Sequence, residues 1–469
     1  MILTPCSILL FKSRSGDRML QATNKYPAFR FRLRFRSGAR VSTGFSRHWA
    51  WLLILVFIVS KGLYADEAGP DYLKDDDTHS PLEADFKVSP FFEDQHWELH
   101  LRSYLLDRNT DNVADKQALA VGGWLSWKSG YWRDFLQFSA TAYTSQKVVG
   151  DDNKDGTGLL QDGQKSYGGF SNIYANVKLG AGSMLRLGRF EMNAPYINKG
   201  DIRMIPNSFQ GAGFTHKFNE QWDIGTTYIT RVKDRTSTDF EKAYDRADID
   251  GDDGVAAVGV RYHDAAGHDG GIYGYYAPDA LEMVYAEYNH HLDLSEHTRL
   301  VLSAQYTHQS SNGDELGGDF SGDHYGTKLL WETPVVNATI AYTLYDGDKI
   351  RSSWGSVPGY TSVMINDFNR TGEKAYLLGI DKDLAVWGLP GWNIGTNLTT
   401  GNTDDSGGDA SPDQSEWNLN LKYTFQQGPL NGLSIFFRHV QVNQKNSTGV
   451  RDAKDISAIR IITNYNIRF

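Results

Sequence analysis

In the stretch 416–425, EWNLNLKYTF, Trp417, Leu419, Leu421, Tyr423 and Phe425 share one face, while Glu416, Asn418, Asn420, Lys422 and Thr424 share the other. A period of two belongs to a β-strand held between an apolar and a polar surface. Helical spacings of three and four would mix Asn and Lys with Leu on one side. VNATIAYTL at 336–344 repeats the pattern, and RLVLSAQY at 299–306 follows it less strictly. The last residues, SAIRIITNYNIRF, set Ile459, Ile461, Thr463, Tyr465, Ile467 and Phe469 against Arg460, Ile462, Asn464, Asn466 and Arg468. After residue 65 no run reaches even a dozen consecutive apolar residues, well short of the about 20 that a membrane-crossing helix needs. Such a chain can cross a membrane only as strands closed on themselves, which leave no backbone group unpaired in lipid.

Eighteen strand-like runs can be counted, from 97–106 to 455–469. Their connections alternate in character. KSGYWRD, GAGS, NEQ, HDAAGHDG, HLDLSEH, ETP, LAVWGLPG and QGPLNG are short. Between them lie longer polar, Gly- and Asp-rich stretches at 147–167, 191–209, 232–253, 346–372, 401–414 and 443–454, with an abbreviated one near 278–280. The fold class read from this is all-β: a transmembrane antiparallel β-barrel of about 18 strands, with short periplasmic turns and long external loops. Composition agrees. Gly is 47 of 469 residues and aromatics are 13%, while Pro is only 13 residues, as strands and tight turns require. A soluble sandwich or β-helix is disfavoured, because no fixed repeat recurs and the polar face carries Arg and Lys as readily as Thr.

Residues 1–65 hold eleven Lys and Arg and one acid, Asp17; the basic run FRFRLRFRSGAR precedes the apolar WAWLLILVFIVS. They read as a signal or leader peptide cut after Ala65, with Met19 an alternative start. Residues 66–96 read as a polar N-terminal periplasmic segment and 97–469 as the barrel. Removing the leader leaves 36 basic against 56 acidic residues, a formal net charge of −20, which disfavours nucleic acid as a partner. Cys6 lies in the leader, so the exported chain has no cysteine for a disulfide or a thiolate metal site.

Several stretches resemble the OprD-type family of substrate-specific outer-membrane porins. FFEDQHWELHLRSYLLDR is similar to the family's first strand. MLRLGRFEMNAPYINKGDIRMIPNSFQG is similar to its fifth strand and third loop, with Asp201, Arg203, Pro206, Phe209 and Gly211 in the D-x-R-x-x-P-x-x-F-x-G pattern. DFNRTGEKAYLLGIDKDLAVWGLPG and EWNLNLKYTFQQGPLNGLSIFFRH are similar to later strands. The resemblance covers nearly all of 91–469. It implies an eighteen-stranded monomeric barrel, with a trimer left open, narrowed by a third loop folded inward at about 191–209. It also implies uptake of small solutes, in many members carboxylates guided by lumen-facing basic residues, and no enzymatic activity. Arg203 and Arg438 stand where family basic residues are expected. Alternation adds Arg186, Arg231, Arg261, Lys328, Lys422 and Arg460 as lumen candidates. Successive charge-assisted bonds of this kind can hold a carboxylate and pass it on. In WNIGTNLTTG, however, Asn397 and Thr400 stand where carboxylate-selective relatives tend to carry Arg, and Phe436 stands where another base is expected. Amides and aromatics there would suit a neutral saccharide, as in the chitoporin-like channels. An enzyme or adhesin barrel is a further alternative, although no GxSxG elbow occurs.

DDNKDGTGLLQD at 151–162 has calcium-loop spacing at Asp151, Asn153, Asp155 and Asp162, without the helices that usually flank it. Calcium there, bridging to anionic headgroups, is one expectation; a solvated external loop is the other. No other cofactor is expected. The remaining partners expected are outer-membrane lipid, including lipopolysaccharide, and the machinery that assembles barrels, which would read the terminal Phe469.

Overall fold

A computed structural model describes residues 90–446 and 452–469; the leader and most of the 66–96 segment lie outside the described residues. Nineteen strands form one sheet. One of these is the two-residue piece Glu241–Lys242, which pairs only with the strand before it, so eighteen make the wall. They are β1 (His96–Thr110), β2 (Val113–Lys128), β3 (Leu136–Gly150), β4 (Tyr167–Gly180), β5 (Ser183–Phe190) and β6 (Ser208–Lys217). Next come β7 (Trp222–Lys233), β8 (Val255–His263), β9 (Asp269–Ala277), β10 (Leu281–Ser295), β11 (Thr298–Ser310) and β12 (Ser321–Glu332). The last six are β13 (Asn337–Gly347), β14 (Lys374–Asp383), β15 (Trp392–Asn402), β16 (Asp413–Thr424), β17 (Ser434–Lys445) and β18 (Ile456–Arg468). Each pairs antiparallel with its sequence neighbours, and β18 closes on β1 over the register Glu98–Arg468 to Thr110–Ile456. The alternating tail is thus the seam that removes the sheet's two edges. Among the described residues no helix is long and apolar enough to cross a membrane.

The outer face is apolar where the alternation puts it: Leu101, Leu302, Ile340, Leu378, Leu398 and Ile459 are all exposed. Aromatics collect near both rims, as at a membrane interface. Trp222 meets Tyr262, and Trp392 meets Tyr423, at the end with the short turns. Tyr306 meets Tyr325, and Tyr342 meets Tyr376, toward the other end. At the short-turn rim, residues 90–93 form a helical turn whose Phe91 carbonyl accepts from Gly130 N at 2.9 Å.

Two hairpin connections differ from expectation. The first hairpin loop is only Asp111–Asn112, because β1 runs on past 106, where the strand-like run 97–106 ends, to Thr110, and β2 begins at Val113; Asn112 takes the positive φ (57°) that so tight a turn needs. β10 likewise runs through His290 and His291 to Ser295. Inside, 191–207 folds into the lumen and packs on the wall, and the long connection 348–373, not expected there, joins it. Tyr196, Ile197, Trp354 and Val357 share one buried cluster with Phe209, Tyr275 and Tyr345.

Candidate functional site

The loop 191–207 crosses the barrel. At one end the Tyr196 hydroxyl meets Thr307 Oγ1 of β11 at 2.7 Å, and Tyr275 of β9 donates to the Pro195 carbonyl. At the other end Arg102 of β1 grips Asp201 with Nη1–Oδ1 2.5 Å and Nη2–Oδ2 3.2 Å, and donates to the Arg203 carbonyl at 2.6 Å. β1 and β11 stand roughly opposite in a ring of eighteen, so the loop is a strut across the channel. Arg102 is only 8% exposed, and such a planar, bidentate grip fixes orientation as well as position.

The loop 348–373 narrows the channel from β10 to β18. Glu416, fully buried on β16, accepts from Ile365 N at 3.0 Å and Asn366 N at 2.9 Å. Arg460 donates Nη2 to the Met364 carbonyl at 3.1 Å. Near β10 and β12, the Tyr360 ring covers the Lys328 ammonium at 4.4 Å, and its hydroxyl donates to Glu287 at 3.4 Å.

Seven of the eight basic candidates lie on the lumen side. Arg438 and Arg460 are direct register partners across β17 and β18, and Arg438 Nε donates to Asn420 Oδ1 at 2.8 Å. Arg108 pairs in register with Ala458, two residues from Arg460 on the same face, and Arg460 is among the charges acting on Arg203, so these four guanidiniums form one cluster, with Glu416 also acting on Arg108 and Arg438. Arg203 itself donates Nε to the Thr157 carbonyl at 3.0 Å. Burial, with Arg460 beside it, lowers Arg203 to about 10, which still leaves it charged at neutral pH. Across the lumen, Arg261 is ion-paired to Asp223 at 3.4 Å, and Lys328 lies in the field of Glu287 and Asp269. Arg186 donates to Asn176 at 2.9 Å and stacks over Tyr174 at 4.6 Å. Lys422 is exposed near the periplasmic mouth, opposite Phe436.

Arg231 is the correction. A bulge at Thr230 lets both Ile229 and Val232 point inward, each 1% exposed, so the phase slips and Arg231 faces outward. The four calcium-spaced residues are not gathered as ligands either. Asp151 accepts from Asn153 N and Nδ2 at 3.0 and 3.1 Å, and Asp155 accepts from Gly156 N and Gly163 N, both at 2.6 Å. Flanked by strands, the loop spends these carboxylates capping its own amides. Among the described residues no group of three or more His, Cys, Asp or Glu could hold a metal ion.

Sequence reasoning missed Arg102, Arg108, Glu287 and Glu416. The signal for the two arginines was there: they share the phase of His100 and Tyr104, both lumen-facing in β1. For Glu287 and Glu416, nothing in the sequence says that a distant loop will reach them.

The model of the outer membrane porin, OprD family, matches residues 89–469. The chain belongs to the OprD family of outer-membrane porins. This porin is 25% identical to Porin D of Pseudomonas aeruginosa over 409 residues, 80% of this chain and 91% of that one. Its fold is similar to OccK9 (OpdG) of P. aeruginosa, with a TM-score of 0.75, 21% identity, and coverage of 81% of this chain and all of the other. It is likewise similar to a BenF-like porin of Pseudomonas fluorescens Pf-5, with TM-score 0.72 and 18% identity, and to P. aeruginosa OpdK solved with vanillate, with TM-score 0.71 and 18% identity. Each covers 81% of this chain and 100% of the other. This porin is therefore a substrate-specific outer-membrane channel and not an enzyme.

Proposed function

We propose that this porin passes small carboxylate-bearing solutes, amino acids among them, along the guanidinium cluster of Arg108, Arg203, Arg438 and Arg460. One observation carries the reading. Arg108 Nε and Arg460 Nε are buried, adjacent in charge, and without a hydrogen-bond partner. A buried guanidinium N–H left unpaired is costly, and a carboxylate oxygen is the acceptor that relieves it with the strongest bond. The nearby acids do not compete: Asp201 is held by Arg102 and Glu416 by backbone amides. In a narrow low-dielectric lumen such a cluster focuses a positive field despite the acidic chain. The solved relative OpdK with vanillate supports the same reading, since vanillate is a carboxylate.

A second reading rests on the amides. Asn418 donates to Asn397 at 3.0 Å, and His100 stacks flat on Trp124 with centroids 3.9 Å apart, surfaces that suit a neutral chito-oligosaccharide. Single-channel current block in planar bilayers separates the two, comparing dicarboxylates, basic amino acids and chito-oligosaccharides. Carboxylates should block at lower concentration than the sugars in the native channel and lose that advantage in R438Q/R460Q. Block by sugars alone would refute the carboxylate reading.

A further inference from the structure

The outward turn of Arg231 completes a lateral row on the wrong side of the barrel for a channel. Arg189 of β5 pairs in register with Gln210 of β6, Gln210 with Arg231 of β7, and Arg231 with Lys242 of the short Glu241–Lys242 piece. All four lie on the outer face. Their inward neighbours Phe190, Phe209 and Val232 are buried, whereas Leu187, two residues before Arg189, is 43% exposed to the outside. Lys242 is ion-paired to Asp252. Glu241, on the opposite face of its strand, is engaged by Arg246 at 3.8 Å. Arg189 and Arg231 have no ion pair among the described residues. Arg189 Nε donates to Gln210 Oε1 at 3.1 Å, and Arg231 Nη1 donates to the Phe240 carbonyl at 3.0 Å. Of these three cations only Lys242 has an ion-pair partner among the described residues.

Their height is fixed by the aromatics. Tyr228, 46% exposed, sits three residues before Arg231 and lines up through Ala256 with Tyr276, 51% exposed. These belong to the outer aromatic belt, which marks the headgroup level. Arg231 lies just beyond it toward the external loops. Arg189 reaches up along Phe240, with its guanidinium 4.4 Å from the ring centre, as a long cationic side chain does when its stem is in lipid and its head seeks the interface. A lone cation deep in the lipid face is destabilising; at the headgroup boundary it can instead meet a phosphate. With strands about 4.8 Å apart, Arg189 and Arg231 are rooted about 10 Å from each other, within reach of one phosphorylated headgroup.

We propose that the outer wall of β5–β7 is a docking site for the phosphate groups of an outer-leaflet glycolipid, held by Arg189 and Arg231. The occupant is a lipid headgroup rather than a second copy of the chain, because an identical cationic row would repel itself whereas the outer-leaflet phosphates carry the complementary charge. The test is native mass spectrometry of the purified barrel with bisphosphorylated lipid A and with its dephosphorylated form. At about tenfold or less per residue, loss of both guanidiniums in R189Q/R231Q should weaken retention of the phosphorylated lipid roughly thirtyfold, and R231Q alone roughly fivefold. The dephosphorylated lipid should bind the native barrel as weakly as it binds the variants. K374Q removes a single exposed cation at the external start of β14 and should leave retention unchanged. Heat-modifiable gel mobility and unaltered conductance confirm that the variants are folded. Equal retention by native and R189Q/R231Q barrels, or by the two lipids, overturns the proposal, as does an equal loss in K374Q or an effect confined to oligomeric state.

Discussion

The two walls of the lumen carry similar residues and a different balance of charge. On the wall of β8–β12 every cation has a carboxylate in its field: Arg261 has Asp223, and Lys328 has Glu287 and Asp269. On the wall of β16–β18 and β1, Arg108, Arg438 and Arg460 have no carboxylate ion pair among the described residues; Glu416 acts on Arg108 and Arg438 only through space while its oxygens accept from loop amides. The comparison teaches that lumen charge is not a matter of counting. A carboxylate in contact with a guanidinium cancels most of its field, whereas one held away by backbone N–H groups weakens that field less and anchors a loop as well. An amphoteric solute would find an acceptor for its ammonium on one wall and donors for its carboxylate on the other.

The sharpest way to break this contrast is to strip the basic wall. R438Q/R460Q should raise the concentration of a dicarboxylate needed for half-block by about a hundredfold, two charge-assisted bonds being lost; an unchanged block would show that the cluster is not the path. Reversing the logic on the other wall, E287Q should weaken block by basic amino acids by roughly fivefold and, by unmasking Lys328, strengthen block by dicarboxylates by about twofold. If both solutes respond equally, the walls are not distinct. D201N tests the strut that spans them. Losing the Arg102 grip should free the loop 191–207 and raise single-channel conductance about twofold, with new protease sensitivity between Met192 and Pro206. The smallest effect is expected from E416Q, which keeps one acceptor for the 365–366 amides: more current noise from a looser loop and less than about a twofold change in block. Block in all cases should weaken as salt rises, since the basic wall acts through a screened field.

The alternation in 416–425 and 457–469 held because lipid on one side and water on the other reward the same face at every second residue. That made the strand number and the seam readable, and it placed Arg186, Arg261, Lys328, Lys422, Arg438 and Arg460 on the lumen side. It failed at Arg231 for a local reason. One inserted residue, Thr230, shifts the phase of all that follows it in β7, and a bulge leaves no signature that alternation alone can separate from a slightly irregular strand. The calcium spacing at 151–162 misled for a related reason: a motif's ligands converge only when the flanking elements bend the loop that way.

The sequence by itself determined the barrel, its orientation by loop length, and which residues could face the lumen, because these follow from a two-residue period that solvent and lipid enforce locally. Only the tertiary structure decided which of those charges stay unneutralised. Whether Asp201 reaches Arg102, whether Glu416 turns to Ile365 and Asn366, and whether Arg189 and Arg231 meet across Gln210 all depend on contacts between residues far apart in the chain. Loop closure across the lumen and register between neighbouring strands set those contacts, and neither is written in any one stretch of sequence.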